Sequence, residues 1–114
     1  MAMTVTQIRD GLAQGKFSSR EITQDYLARI ASHNPALNCF ISVTEDIALA
    51  QARAADEKLA KGDNGLLTGV PLAHKDLFCT DGVRTSCGSR MLDNFIAPYD
   101  ATVVERIRDN GAVM

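Results

Sequence analysis

The sequence has no excess of positive charge. Its 12 lysine and arginine residues are mixed along the chain with 14 aspartate and glutamate residues, which gives a formal net charge of -2. Without a basic stripe or cluster, the chain lacks the usual signature of a nucleic-acid-binding surface. If a nucleic acid takes part in the function, we expect another protein chain to hold it.

Cysteine pairs at metal-binding or redox spacing are also missing. The three cysteines, Cys39, Cys79 and Cys87, are odd in number and include no CxxC pair. This usage is typical of a reduced cytosolic protein rather than a disulfide scaffold. A zinc site would have to recruit His33 and His74 at irregular spacing, so we predict no metal site.

Long apolar segments are absent as well. A helix needs roughly 20 apolar residues to cross a bilayer, and no run in this sequence approaches that length. Residues 1–7 contain no basic region followed by an apolar stretch, the pattern of a secretory signal. We therefore expect a cytoplasmic protein without a membrane-spanning segment.

What the sequence does contain is enough apolar material for one packed domain, since 46% of its 114 residues are hydrophobic. Residues 4–7 (TVTQ) and 18–21 (SSRE) both have the spacing of a helix capping box. We predict a short first helix that ends at Gly15 and a longer second helix that stops at residues 34–35 (NP).

The middle of the chain alternates between strand and helix patterns. Residues 37–43 (LNCFISV) predict a β-strand. Thr44 is placed to cap a third helix that ends at Gly62. Residues 70–75 predict a second strand, parallel to the first across a right-handed crossover. The predicted fold class is therefore α/β.

The C-terminal part of the chain is richer in loops. Residues 78–94 predict a loop that lines or covers a site, with a short helical turn near residues 89–92. Asp100 is expected to cap a last helix that ends at residues 110–111 (NG). Residues 112–114 resemble the beginning of another strand, whose backbone groups need a ladder of partners. We therefore expect the chain to be the N-terminal portion of a longer domain.

Lys75 is the candidate catalytic residue. It follows the apolar residues 69–73 at the end of a predicted strand, and strand ends in α/β proteins open onto ligand crevices. An amine acts as a general base only when neutral, and burial favours the neutral form of a lysine. A second interpretation stays open, in which Lys75 simply reaches solvent from the strand end or pairs with Asp76.

Other polar side chains near Lys75 are weaker candidates. Ser86 and Ser89 offer hydroxyl groups, but neither lies in a G-x-S-x-G motif, so we interpret them as loop structure first. His74 would point to the opposite face of a strand and is expected to make packing or polar contacts. Cys79 lacks the downstream histidine that a cysteine nucleophile needs.

Three segments together carry a family resemblance: residues 69–76 (GVPLAHKD), 85–89 (TSCGS) and 99–104 (YDATVV). They resemble the amidase signature family, most strongly from Gly69 onward, and the resemblance runs over nearly the whole chain. Residues 92–105 (LDNFIAPYDATVVE) are similar to the A subunits of tRNA-dependent amidotransferases. The resemblance implies the N-terminal part of the amidase signature fold, with two leading helices, then β-α-β-loop-α and the start of a further strand.

The resemblance also implies a catalytic set and a reaction. Members of this family use a serine nucleophile, a second serine on a cis peptide bond and a lysine, and the lysine falls on Lys75 as general base. Both serines would follow the strand that begins near Ala112, so we expect this chain alone to be inactive. The intact protein would release ammonia from glutamine to convert Glu-tRNA(Gln) to Gln-tRNA(Gln), or Asp-tRNA(Asn) to Asn-tRNA(Asn).

Partners follow from the same resemblance. The intact complex would contain subunits B and C, with the misacylated tRNA held mainly by a partner subunit that uses ATP and magnesium, and this chain would bind no cofactor. Two alternatives remain. One is part of a stand-alone amidase that hydrolyses small amides. The other is a non-catalytic α/β module that self-associates through exposed strand edges and an uncovered apolar face.

Overall fold

The regular secondary structure of the protein is helical. The computed structural model describes residues 3–114. Its α-helices are α1 (Val5–Ala13), α2 (Ser19–Leu37), α3 (Glu45–Ala60) and α4 (Thr102–Asp109), with a short 3₁₀ turn at Arg90–Leu92. Strand pairing within these described residues is limited to two isolated bridges. Three helices are therefore followed by a largely irregular segment that leads to α4.

Helices α1 and α2 both begin at capping boxes. The Thr4 hydroxyl accepts the Gln7 N–H at 3.2 Å, and the Gln7 side chain accepts the Thr4 N–H at 2.8 Å. Ser18 and Glu21 form the same reciprocal pair at 3.1 and 2.7 Å. Because a helix leaves its first N–H groups unpaired, these bonds define where each helix starts. Both predicted starts are confirmed.

Helix α2 does not stop at the predicted place. It continues through Pro35 to Leu37. Pro35 has no N–H to donate to the carbonyl four residues earlier, so the last turn of α2 forms with one hydrogen bond fewer. The side chain of Asn34 then holds the following backbone, since its Oδ1 accepts the N–H groups of Cys39 and Phe40 at 3.0 and 2.9 Å. The prediction that residues 34–35 end the helix is wrong.

The predicted strand over residues 37–43 does not form either. Asn38 adopts the left-handed conformation (φ 49°) that ends α2. Two peptide N–H groups of this segment bond to the Asn34 side chain instead of to a neighbouring strand. Ile41 and Val43 consequently remain exposed. The first strand of the predicted β-α-β unit is thus replaced by a helix end and a loop.

A parallel bridge joins Pro71 to Val113. The Leu72 N–H donates to the Val113 carbonyl at 2.8 Å, and the Val113 N–H donates to the Val70 carbonyl at 3.0 Å. Pro71 has no N–H to offer a strand on its other side, so the pairing does not spread. The predicted strand over residues 70–75 and the one at the last residues are reduced to this bridge, and the α/β class is not confirmed.

Helices α3 and α4 lie where they were predicted, but the side chains expected to cap them form hydrogen bonds with other segments. Thr44 precedes α3 and makes no capping hydrogen bond; its hydroxyl donates to the Met114 carbonyl at 3.2 Å. The residue that flanks the start of α4 is Ala101, and the Asp100 carboxylate accepts the Asp81 N–H at 2.7 Å. Both side chains join distant segments, so the two capping predictions are wrong.

The ends of the C-terminal segments agree with the sequence. The predicted short helical turn is the 3₁₀ turn at Arg90–Leu92, and the Ser89 hydroxyl accepts the Met91 N–H at its start, at 3.2 Å. Asn110 ends α4, followed by Gly111 with a φ of 83°. Glycine tolerates this left-handed conformation without a steric cost.

Two small cores hold the segment that leads to Lys75. One cluster joins α1 and α2 to this segment through Ile8, Leu12, Ile22 and Val70. The other packs α3 against the last residues through Ala48, Ala52 and Val113. Since Val113 also bridges to Pro71, the backbone just before Lys75 is fixed from both sides.

Gly69 lies against the first residue of α2. The buried Ser19 hydroxyl at the start of α2 donates to the Gly69 carbonyl at 2.9 Å. Gly69 has a φ of 78°, and a Cβ built there would lie 2.9 Å from the Ser19 Cβ. Only glycine fits both the conformation and the space.

Candidate functional site

An open cleft of about 1240 Å³ lies beside the backbone of residues 71–78. Apolar side chains of α2, of the loop after it and of the first turn of α3 line the opposite walls; they include Tyr26, Leu27, Ile30, Ile41, Val43 and Ile47. Mostly apolar clefts with a few polar groups are the usual form of small-molecule sites. Lys75 is among the polar groups of this cleft.

Lys75 occupies the start of a tight turn. Its carbonyl accepts the N–H groups of Leu77 and Phe78 at 2.7 and 3.1 Å. Its side chain is exposed, so the burial expected around this lysine is not met within residues 3–114, where the cleft is open. Among the ion pairs of the described residues, none involves Lys75. Lys75 therefore lines the cleft without a carboxylate partner from this part of the molecule.

The carboxylate next to Lys75 is engaged elsewhere. Asp76 accepts the Ser86 N–H at 3.0 Å on Oδ1 and the Ser86 hydroxyl on Oδ2, while its carbonyl accepts the Cys87 N–H at 2.8 Å. Burial acts to raise the pKa of Asp76, but the bonds from Ser86, the N–H of Gly88 and the positive charge of Arg84 lower it below its ordinary value of 3.8. Asp76 is therefore ionised at neutral pH.

The absence of a Lys75–Asp76 contact is not a consequence of their adjacency. Arg9 and Asp10 are also neighbours, and their nitrogen and oxygen atoms lie 3.1 Å apart. The Arg108 guanidinium likewise lies 3.9 Å from the carboxylate of the next residue. The interpretation in which Lys75 pairs with Asp76 is therefore wrong for this structure. The other possibility within that interpretation, in which Lys75 reaches solvent, agrees with its exposed side chain.

His74 supports the turn on the other side of Lys75. Its Nε2 lies 3.0 Å from the Thr80 hydroxyl, and its Nδ1 lies 3.3 Å from the Lys75 carbonyl. Because a carbonyl only accepts, Nδ1 carries the proton in its contact with the Lys75 carbonyl. The ring also meets Phe78 edge to face, with centroids 6.2 Å apart. These are the polar and packing contacts that the sequence predicts for His74.

The two serine candidates form hydrogen bonds within the loop. The Ser86 hydroxyl donates to Asp76, and the Ser89 hydroxyl accepts at the 3₁₀ turn. Sequence reasoning considered Asp76 only as an ion-pair partner of Lys75 and missed its bond to Ser86, because a spacing of ten residues in a loop has no periodic signature. It also missed Thr23, whose buried hydroxyl lines the cleft and has no hydrogen-bond partner among the described residues.

The cysteines do not assemble a nucleophile. The Cys79 thiol lies 3.7 Å from the Tyr99 hydroxyl, and this hydrogen bond raises the pKa of Tyr99. Cys39, Cys79 and Cys87 are all free thiols. In the part of the chain that the structure describes, no cluster of histidine, cysteine, aspartate or glutamate side chains offers three ligands to a metal ion. None of the helices within residues 3–114 is long and apolar enough to cross a membrane.

Comparison with known proteins identifies the family. A model of the amidase family matches residues 21–114. The chain belongs to the amidase family. It is 64% identical over 111 residues to the A subunit of the glutamyl-tRNA(Gln) amidotransferase of Methylococcus capsulatus, and 62% identical over the same length to that of Pseudomonas fluorescens SBW25. Each match covers 97% of this chain and 23% of the relative, so the chain spans about a quarter of their length.

A solved structure agrees with this assignment. The peptide amidase crystallised with the inhibitor chymostatin superposes with a TM-score of 0.89 at 36% identity. The match covers 97% of this amidase-family chain and 23% of the peptide amidase. The fold of the described residues is therefore that of the corresponding part of an amidase enzyme.

Proposed function

We propose that this chain is the N-terminal part of the glutaminase component of a tRNA-dependent amidotransferase, a carbon–nitrogen ligase of protein biosynthesis. The observation that carries the proposal is the identity of 62 to 64% to the A subunits of two bacterial relatives over 97% of the chain. In this proposal the full-length protein releases ammonia from glutamine. The ammonia converts Glu-tRNA(Gln) to Gln-tRNA(Gln) or Asp-tRNA(Asn) to Asn-tRNA(Asn).

Lys75 is the general base in this proposal. A serine Oγ attacks the amide carbon of glutamine, and its proton passes through a bridging serine to the neutral Lys75 amine. The same proton then returns to the departing nitrogen, so ammonia leaves an acyl-enzyme that water hydrolyses. The two serines come from the remainder of the full-length protein. The position of Lys75 on the cleft and the engagement of Asp76 by Ser86 support this role, because an ion-paired lysine would stay protonated.

The remaining components belong to other chains. Subunits B and C are the proposed partners, and one of these partners holds the misacylated tRNA in the cytoplasm. The net charge of -2 agrees with tRNA being bound elsewhere. In this proposal a partner chain binds ATP and magnesium, and this chain binds no cofactor.

A stand-alone amidase is the second candidate. It is favoured by the TM-score of 0.89 to the peptide amidase, whose named activity differs from that of the amidotransferase relatives. The two candidates share the proposed role of Lys75 and differ in the fate of the ammonia. Transfer to a tRNA-bound acid requires the partner chains, whereas hydrolysis of a small amide does not.

The experiment compares three samples: the full-length protein with its partner chains, the same assembly carrying Lys75→Ala, and the matched control Lys61→Ala, an exposed lysine after α3. We expect Lys75→Ala to lower glutamine hydrolysis and tRNA amidation by about 10² to 10⁴-fold, the usual contribution of a general base. Lys61→Ala should keep both rates. Full activity in Lys75→Ala would overturn the assigned role.

The isolated chain serves as a further sample in the same assay. Because the serines are proposed to lie in the remainder of the protein, we expect no ammonia above background from it. Hydrolysis of small amides by the full-length protein without partners, together with no amidation of tRNA in their presence, would favour the stand-alone amidase.

A further inference from the structure

We propose that Ser86 is a positioning residue that holds the Asp76 carboxylate away from the Lys75 amine. This inference rests on the proposed function, in which Lys75 must lose its proton to act. A carboxylate within contact distance of an amine favours the charged form of that amine. By binding both carboxylate oxygens, Ser86 removes the nearest counter-charge along the chain from the base.

Ser86 is held firmly enough for this task. Its side chain and that of Thr85 are 4% and 3% exposed. The Thr85 N–H donates to the Phe95 carbonyl at 3.0 Å, next to the antiparallel bridge between Arg84 and Ile96. The backbone next to Ser86 is therefore held by a second segment of the loop, and its position does not depend on Asp76 alone.

Ion pairs between other residues that are adjacent in sequence show what the contact between Asp76 and Ser86 prevents. Arg9 and Asp10 meet at 3.1 Å where no hydroxyl group competes for the carboxylate. Asp76 instead points its two oxygens at Ser86. Ser86→Ala keeps the N–H donors of Ser86 and Gly88 and removes the hydroxyl donor from Oδ2. We expect the released oxygen to turn towards Lys75.

Other titratable or charged side chains also line the cleft. They are Tyr26, Cys39, His74, Asp81, Arg84, Cys87, Asp100 and Arg108. The Asp100 carboxylate is bound to the Asp81 N–H and to Arg108. Arg84 is paired with Asp93. Asp76 is thus the carboxylate adjacent to Lys75, and the Ser86 hydroxyl holds it together with the N–H groups of Ser86 and Gly88.

The first experiment measures protonation of Lys75 without any enzyme assay. The purified chain is labelled with trace acetic anhydride at a series of pH values, and acetylation of Lys75 is quantified by mass spectrometry, with Lys61 as reference in the same sample. In Ser86→Ala, we expect the pH of half-maximal labelling at Lys75 to rise by about 0.5 to 1 unit. The matched control Ser89→Ala removes a hydroxyl group of the same loop that does not contact Asp76. It should leave the pH of half-maximal labelling at Lys75 unchanged.

Two further variants keep the inference open to refutation. The double variant Asp76→Asn with Ser86→Ala removes the charge and should return the labelling midpoint to that of the unmodified chain. If Ser86→Ala does not fold, Asp76→Asn alone tests the inference. Because Ser86 already holds the carboxylate away from Lys75, removing its charge should change the labelling midpoint of Lys75 little. A fall in the midpoint of about 0.5 unit or more in Asp76→Asn would show that the carboxylate acts on Lys75 directly, and would overturn the inference.

The second experiment records the pH–rate profile of glutamine hydrolysis in the full-length assembly. We expect the acid limb to move to higher pH by the same amount in Ser86→Ala and not in Ser89→Ala. An unchanged profile in an active, folded Ser86→Ala assembly overturns this inference alone. Full activity in Lys75→Ala overturns the proposed role of Lys75 as general base, whereas the labelling experiment tests the contact between Asp76 and Ser86 separately.

Discussion

The carboxylate of Asp76 accepts both the N–H and the hydroxyl group of Ser86, ten residues further along the chain. This pair closes the loop that follows Lys75 and decides which groups surround the amine. Without it, a lysine and an aspartate adjacent in sequence would be interpreted as an ion pair. The contact reverses that interpretation, because the carboxylate is already satisfied.

The Asp76–Ser86 pair should make the stability of the chain depend on pH in acid. Burial acts to raise the pKa of Asp76, but the stronger effect of Ser86 and its neighbours lowers it below 3.8. A lowered pKa in the folded state contributes stability above the unfolded value, and this contribution is lost as pH falls through the folded value.

We therefore expect the free energy of unfolding to fall more steeply below about pH 4 in the unmodified chain than in Asp76→Asn. Urea unfolding followed by circular dichroism at neutral and acid pH measures this difference. Asp63→Asn, in an exposed loop, is the control. Parallel acid profiles for the unmodified chain and Asp76→Asn would contradict the prediction.

Gly69→Ala should destabilise the fold more than the same substitution at another glycine with a similar φ. Its φ of 78° already disfavours a side chain, and the new Cβ would lie 2.9 Å from the Ser19 Cβ. Strain and overpacking together should cost about 2 to 4 kcal/mol in unfolding free energy.

Gly62→Ala separates the two effects, since Gly62 has a φ of 79° and open space around it. It should cost only about 1 to 2 kcal/mol. Equal losses in the two variants, measured by chemical unfolding, would mean that the contact with Ser19 is unimportant.

The isolated chain should associate through its open cleft. Ile41, Val43 and Ile47 line the cleft and are 54%, 47% and 42% exposed, a contiguous apolar surface of the kind that promotes association. We expect the mass measured by light scattering after size exclusion to rise with concentration, and Ile41→Lys to reduce this rise.

Leu66→Lys is the matched control for this prediction. Leu66 is 68% exposed but does not line the cleft, so its replacement should leave association unchanged. A constant monomer mass for the unmodified chain would count against the prediction, and equal effects of both variants would count against the cleft as the contact surface.

Helix starts were predictable because their signals are local. The capping boxes at Thr4 and Ser18 involve residues three positions apart, and both form as the sequence indicates. The strand predictions failed because pairing depends on distant partners. The N–H groups of Cys39 and Phe40 meet the side chain of Asn34 rather than a ladder, although the β-favouring composition of that segment is unchanged.

The candidate site divides in the same way. Lys75 was singled out by an apolar run before it and by a family resemblance, and its catalytic role stays a prediction. The state of Asp76 was not predictable, because a loop contact between residues 76 and 86 leaves no periodic trace. The expected burial of Lys75 was likewise a tertiary property, which residues 3–114 do not supply.

The starts of α1 and α2 and the family resemblance were predictable from the sequence, because capping and motif spacing act over a few neighbouring residues. The pairing of Pro71 with Val113, the hydrogen bond from Ser19 to Gly69 and the hydrogen bond from Ser86 to Asp76 became visible only in the folded chain. Each of these contacts joins residues that lie far apart in the sequence. The physical reason is that a polar group bonds to whichever partner folding brings within reach, and that partner is set by the packing of the whole chain.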